Sequence, residues 1–587
     1  MRRDTQDKSG QRQIGAGFIR NGITLLSGVD PVRSAERTAD VVSIKDRTLY
    51  FCPSPLYGYG LKRLLERLET EAQNSAVLCI EADPELYELA LKNIDASFTN
   101  DSLENASPNI KLRITDICDA EKICAFVHEV WGVRAFRRLE TIKFTGGWQL
   151  FPQLYDSLCD ALRREIATDW SNAMTLAKLG RLYIRNAIRN LSLIPHFPSI
   201  ANLSFGETPV LVLGAGPSLD ETLDFLDRCF SQTFRQPQSR PFKIVCVDTC
   251  LGALKDRNII PDIVVILESQ HWNLKDFTGC RGWNIPAAVD LSALPCSAKI
   301  LEGEGFLFMT PWTHLRIFER LKAAGLLPSV IPPLGSVGLT AVELARRISR
   351  GKIILSGIDF SFTTEKYHAR STPGHRGKLN TQTRFHAIAN TSAFAAASFA
   401  AVSKSGISVY SSPVMRNYRD LFEREFGSDP RLFDVEGSGL SLGIKTLSPE
   451  EAVAMLAEDI FNHEPSRTCA CGTDRNRGED NQEVVQSEEE KKLLIEKLLT
   501  FFDNEKSRLN ELRDILTGDS AADHARLNAL IEECDYLWAH FPDYSGGGRR
   551  PGLEEIASGS EVALSFLRRL RAEIDPMLKL MERCSRY

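Results

Sequence analysis

The chain has 587 residues, 43% of them hydrophobic and 25% charged, with a formal net charge of −6. A chain of this length calls for several globular domains. The slightly acidic balance argues against a nucleic-acid partner held by a broad basic field, and no apolar run reaches membrane-spanning length.

In chain order, residues 1–42 are polar and Arg-rich without the apolar stretch of a secretion signal, and read as a disordered extension. A Rossmann-like domain is expected over 43–150. Its turn, Cys52 to Gly60, keeps Gly58 and Gly60, but Pro53 and Pro55 stiffen it. Glu81 closes the next strand about twenty residues later, the spacing at which an acid meets a ribose in dinucleotide folds. The prolines favour a scaffold over a cofactor site. Residues 151–204 carry helical spacing in Leu176, Leu179, Tyr183 and Ile188 and read as a helical linker.

The most informative stretch is VLVLGAGPSLDETLDFL, from Val210 to Leu226. A buried strand enters a turn holding Gly214, Gly216, Pro217 and Ser218, and a helix follows from Leu219. Exposed amides and the helix dipole suit such a turn to an anion, phosphate above all. Phe242 to Asp248 and Asp262 to Glu268 read as further buried strands that close on carboxylates. Leu334 to Ser349 is a second glycine turn, with Gly335 and Ser336, feeding an amphipathic helix; Lys352 to Phe360 is a strand ending in Gly357 and Asp359. Strands alternating with helices imply a parallel sheet whose ligands sit at the carboxyl ends of the strands. Asp248, Glu268 and Asp359 all fall there; each also has a purely structural reading as the cap of a following turn. Asn273 follows Glu268 closely enough to bond a base or sugar. The loop Phe362 to Arg376 holds Thr363, Tyr367, His368, Arg370, His375 and Arg376, a composition suited to a lid over a phosphate.

A central domain is thus expected over 205–462, a polar linker over 463–490 and a helical domain over 491–587. Leu494, Leu498, Phe501, Leu509 and Leu512 carry the helical spacing, and the glycine run Gly546 to Gly548 separates the later helices. The fourteen cysteines are scattered, which argues for a reducing cytoplasm over a disulfide framework. Cys469 and Cys471 lack a second pair at zinc-finger spacing, and no metal is expected.

The pieces GAGPSLD, VDTCLGALKDRNIIPDIVVILESQ, GSVGLTAVELA and IILSGIDFSF followed by YHARSTPGH resemble the motility accessory factor (Maf) family of flagellin glycosyltransferases. The stretch from Asp46 to Leu91 also fits the smaller Rossmann-like domain preceding the core in that family. The core is similar, too, to bacterial sialyltransferases and to 6-hydroxymethylpterin diphosphokinase MptE-like proteins. The resemblance implies an α/β fold: a central Rossmann-like, sialyltransferase-like parallel sheet, a smaller Rossmann-like domain before it and helices after it. It implies transfer of a nonulosonic acid of pseudaminic or legionaminic type from its CMP donor to flagellin Ser or Thr hydroxyls. The donor is the only cofactor-like ligand, and none is expected to be permanently bound; an oligomer is allowed. Catalytic candidates are Asp359, Glu268, His368 and His375. Candidates for holding the donor are Gly214, Gly216, Pro217, Ser218, Asp248, Asn273, Gly335 and Ser336. The alternatives are pyrophosphoryl transfer to a hydroxymethylpterin, weakened by the absence of a P-loop lysine after the glycines, and a non-enzymatic flagellar assembly factor using the helical tail.

Overall fold

Runs such as VLVL, IVVI and IILS are too short for helices and rich in branched side chains, so they form strands covered on both faces. The computed structural model describes residues 12–14, 17–94, 111–132, 135–230, 235–237, 240–385, 390–457, 487–518, 524–545 and 550–586. The chain forms two compact units, Met1–Leu179 with Trp538–Pro551, and Gly180–Leu537 with Gly552–Tyr587.

The first unit begins with strands β1 (Arg12–Ile14), β2 (Gly17–Arg20) and β3 (Ile23–Leu26), which form an antiparallel sheet. The helix Pro31–Val41 follows, capped by Asp30, with Ala35 and Ala39 buried. The disordered extension expected over 1–42 is therefore corrected at residues 12–14 and from residue 17 onward: short strands pair locally, and a Pro at the first helical turn starts a helix. The remainder of that expectation, residues 1–11 and 15–16, lies outside the described residues. Next come β4 (Thr48–Pro53), β5 (Ala76–Ile80), β6 (Leu112–Thr115) and β7 (Arg138–Thr141), parallel in the order β6-β5-β4-β7. Glu81, beyond β5, is 1% exposed and accepts hydrogen bonds from Ser54 Oγ (2.6 Å), the Asp83 amide (3.2 Å) and Tyr155 (3.3 Å). Its carboxylate is thus occupied inside the domain, as a scaffold requires.

The expected linker helices are one helix of 39 residues, Pro152–Asn190. In the second unit, the parallel strands are β8 (Val210–Leu213), β9 (Lys243–Val247), β10 (Ile263–Ile266), β11 (Ile285–Asp290), β12 (Glu302–Met309), β13 (Ser329–Val330) and β14 (Ile353–Ser356). A β15–β16 hairpin (Phe399–Val402, Ser408–Ser411) precedes β17 (Leu432–Val435) and β18 (Lys445–Leu447). The nine-stranded order is β13-β12-β11-β10-β9-β8-β14-β17-β18. From β8 the chain winds outward to β13, then returns to the other side of β8 as β14. The strand order therefore reverses between β8 and β14, where the open crevice of a doubly wound sheet is expected.

The tail helices Glu488–Thr517, His524–Glu533 and Glu561–Cys584 form as expected. Glu505, fully buried, accepts both Arg320 Nε and its terminal nitrogen (2.9 Å), fastening the first of them to the helix Arg316–Ala323. The polar linker over 463–490 falls outside the described residues as far as 486, with Cys469 and Cys471 in it; so does the glycine run Gly546 to Gly548. Among the described residues, no helix is long and apolar enough to cross a membrane.

Candidate functional site

At the switch point the turn after β8 and the turn after β14 pack backbone to backbone. Gly214 N–H donates to Ser356 O (2.8 Å) and Gly216 N–H to Gly357 O (2.7 Å). A Cβ on Gly214 would lie 2.4 Å from Gly357 O, and one on Gly216 would lie 2.4 Å from Asp359 Oδ2. The glycines thus admit the neighbouring turn. Ser218, 2% exposed, donates its amide to Asp359 Oδ2 (2.8 Å) and its hydroxyl to Asp359 Oδ1. Asp359 is also 2% exposed, and burial raises its pKa against the pull of Lys404 and Ser218. The amides of Gly216 and Ser218 are therefore engaged, and the protein's own carboxylate stands where the phosphate was expected. Pro217 is buried beside them.

A further segment closes over this pair. Leu440 N–H donates to Asp359 O (2.8 Å), and Gly437 and Gly439 approach Ser218 and Asp359 so closely that a Cβ would meet them at 2.6 and 2.8 Å. Lys404, from the β15–β16 turn, donates to Asp434 Oδ1 at 2.7 Å with both side chains at most 2% exposed. Burial pushes Asp434 up to about 6 although the lysine opposes it.

The loop expected as a basic lid is pinned down. Buried Asp220 accepts Lys366 Nζ (2.8 Å) and the Arg370 amide (3.1 Å), Ala369 N–H donates to Ala215 O (2.9 Å), and Arg376 reaches Asp256 (2.7 Å). Its cations pair with protein carboxylates, tying the loop to the domain beneath it. Tyr367 stacks on Phe362 at 4.9 Å, and the Thr363 hydroxyl accepts the Lys366 amide (3.0 Å). His368 packs edge-on to Tyr367, and burial lowers its pKa to about 4, so it is neutral at pH 7. His375 Nδ1 accepts the Ser371 amide (3.2 Å), and burial lowers its pKa as well. The helix Pro373–Thr381 carries it.

Two features remain along the carboxyl edge. One is an acidic ledge beyond β9 and β10. Asn273, 3% exposed, donates to Asp248 Oδ2 (2.7 Å) and Asp276 Oδ2 (3.2 Å), while the Thr249 amide bonds Asp248 Oδ1 (2.8 Å). Burial raises Asp248 to about 6; burial and the Asp248 charge raise Asp276 to about 7. The Asn273 Oδ1 and Ser269 Oγ atoms are buried without a hydrogen-bond partner. Such atoms are costly to leave unmet. Glu268 is exposed beside them, accepting the Gln270 amide (2.9 Å). The other feature is the second glycine turn. Gly335 holds φ +70° against the Tyr418 ring, and Ser336 stands in extended conformation at the start of the helix Val337–Ile348 without a side-chain cap bond. The first amides of that helix have no intrahelical partner.

The solved structure of MAf glycosyltransferase from Magnetospirillum magneticum AMB-1 aligns with 99% of this chain and 91% of that chain, at a TM-score of 0.53 and 14% identity. The chain has a Maf-like fold. The family model for 6-hydroxymethylpterin diphosphokinase MptE-like proteins matches residues 183–365, from the end of the long helix to just beyond β14, so the Maf-like fold here has an MptE-like core. A protein of Treponema pallidum (strain Nichols) described as uncharacterized is 29% identical over 566 residues, covering 93% of this chain and 90% of its own.

Within this Maf-like fold the named candidates fall into separate groupings. Ser218 joins Asp359; Asp248 joins Asn273 with Glu268 nearby; Gly335 and Ser336 open the helix Val337–Ile348; His368 and His375 sit in the pinned loop. Sequence reasoning missed Asp276, Lys404, Asp434 and Asp290. Asp290 carried the same signal as Asp248, an acid closing an apolar strand, and is fully buried on the Ser292 amide (2.7 Å) and the Thr310 amide (2.6 Å). Lys404 lies in a polar hairpin with no pattern to mark it.

Proposed function

We propose that this chain is a glycosyltransferase that moves a nonulosonic acid, of pseudaminic or legionaminic type, from its CMP donor to Ser or Thr hydroxyls of flagellin. The observation that carries this reading is the likeness to a MAf glycosyltransferase along nearly the whole chain. The carboxyl edge supplies supporting chemistry. An uncapped helix start at Ser336 suits the donor phosphate. The unmet acceptor on Asn273 suits an amino or hydroxyl group of the nucleoside, and Asp248 orients Asn273 from behind. Because the Gly216 and Ser218 amides are occupied, the phosphate role moves from the first glycine turn to Gly335 and Ser336.

The reaction is a single displacement. The acceptor oxygen bonds to the anomeric carbon, the bond from that carbon to the phosphate oxygen breaks, and CMP leaves with the electron pair. The hydroxyl proton passes to a base. Glu268, exposed at this edge and accepting the Gln270 amide, takes that role in the reading. Asp359 is assigned to holding the switch point together, while neutral His368 and His375 orient the loop.

The test is incubation of the purified chain with CMP-activated nonulosonic acid and flagellin, read by intact mass. A gain of one or more sugar residues on flagellin supports the proposal; unchanged flagellin beside intact donor opposes it. A second reading, pyrophosphoryl transfer to a hydroxymethylpterin, is favoured by the MptE-like match over 183–365. It requires AMP release from ATP with magnesium and the pterin, and no consumption of the CMP-sugar.

A further inference from the structure

In the first unit, two helices bring three metal-ligating side chains together. His128 stands on the helix Ala120–Trp131, and Glu165 and Asp169 stand four residues apart on the helix Pro152–Asn190. That spacing puts the two carboxylates on one helical face. His128 Nε2 lies 2.9 Å from Asp169 Oδ2 and 3.8 Å from Glu165 Oε1, and the donor atoms of these three residues all lie within 4.8 Å of one another. Ligands about 2.05 Å from a tetrahedral zinc ion are separated by roughly 3.3 Å, between those two distances. Cys124 lines the same small cavity as the three. The backbones are held at this spacing by core packing, with Ile123, Val127, Leu162 and Ile166 buried in one cluster.

We propose that His128, Glu165 and Asp169 form a binding site for a divalent transition ion of the zinc class. Imidazole together with carboxylates suits zinc over magnesium or calcium, which take oxygen ligands. Three protein ligands leave a fourth position to water, and the ion clips the two helices together. The same atoms can also be joined by a simple His128–Asp169 ion pair, and the experiment separates the two.

The full chain, stripped with chelator, is titrated with Zn²⁺ against a chromogenic competitor and with Co²⁺ by absorption. Its His128→Gln, Glu165→Gln and Asp169→Asn variants are treated alike, each first shown folded by circular dichroism. The site predicts one equivalent bound by the parent chain. It predicts affinity lower by on the order of 100-fold in His128→Gln and Asp169→Asn. Tetrahedral Co²⁺ bands should appear in the parent and be lost in His128→Gln. A zinc-dependent rise in thermal midpoint should accompany binding in the parent and vanish in His128→Gln. Equal affinity and stoichiometry in parent and variants, or no saturable binding, leaves an ion pair only and overturns the proposal.

Discussion

Asp359 divides two accounts of the switch point, and its substitution distinguishes them. Changing it to Ala removes both bonds to Ser218 and strands a buried amide. Each charge-assisted bond contributes about 1.5–3 kcal/mol, and part of this returns as Ser218 relaxes, so a loss of about 3–5 kcal/mol is expected. Changing it to Asn retains the shape. Its carbonyl oxygen can accept the Ser218 amide while its NH₂ donates to Ser218 Oγ, so only the charge is lost; burial already disfavours that charge, and the unfolding midpoint should not fall. Urea unfolding measures both, with sugar transfer to flagellin assayed at a temperature where each variant is folded. An anchoring role predicts that Asp359→Asn keeps transfer within about tenfold of the parent, while the unfolding midpoint of Asp359→Ala falls. A general base predicts Asp359→Asn folded like the parent but with transfer reduced on the order of 10²–10⁴-fold. The second pattern would refute the reasoning.

Glu268→Gln should leave stability within about 0.5 kcal/mol, because the side chain is exposed, yet lower transfer by on the order of 10²–10⁴-fold in single-turnover assays. Asp276 is raised to about 7 by burial and by the Asp248 charge. Its folded pKa exceeds the unfolded value, so its contribution is favourable at low pH and lost as pH rises through about 7. Asp276→Asn should accordingly stabilise the chain at pH 8 by about 1–2 kcal/mol, discounted for partial exposure, and have little effect at pH 5. Lys404→Met leaves Asp434 buried and uncompensated and should cost about 3–5 kcal/mol in urea unfolding; adding Asp434→Leu should recover most of it. Glu505→Gln should loosen the helix Glu488–Thr517, seen as faster amide exchange there than at β8 to β10.

The sheet was legible because its strands are short, continuously apolar and punctuated by glycine or an acid. The turns at Gly214 and Gly335 therefore marked the starts of helices that the structure places within a few residues. The strand β11 was harder: IPAAVD has two small alanines and a proline, which dilute the apolar signal. The site was less legible than the fold. A GxG turn has the same sequence whether its amides face a ligand or an internal carboxylate; what decides is Asp359, 141 residues away from Ser218 in the chain. Similarly, the charges of Arg370 and Arg376 suggested an anion, but Asp220 and Asp256 come to them only through packing. His128 and the Glu165–Asp169 pair lie on separate helices, so no single stretch announces them.

The central claim concerns where the donor lies, and a structure of the chain with CMP bound tests it most directly. The account predicts the CMP phosphate at the start of the helix Val337–Ile348, beside Ser336, with the base or ribose against Asn273 and the Ser218–Asp359 bonds intact. A phosphate seated on the Gly216 and Ser218 amides with Asp359 displaced, or a nucleotide away from the carboxyl edge of the sheet, would contradict it.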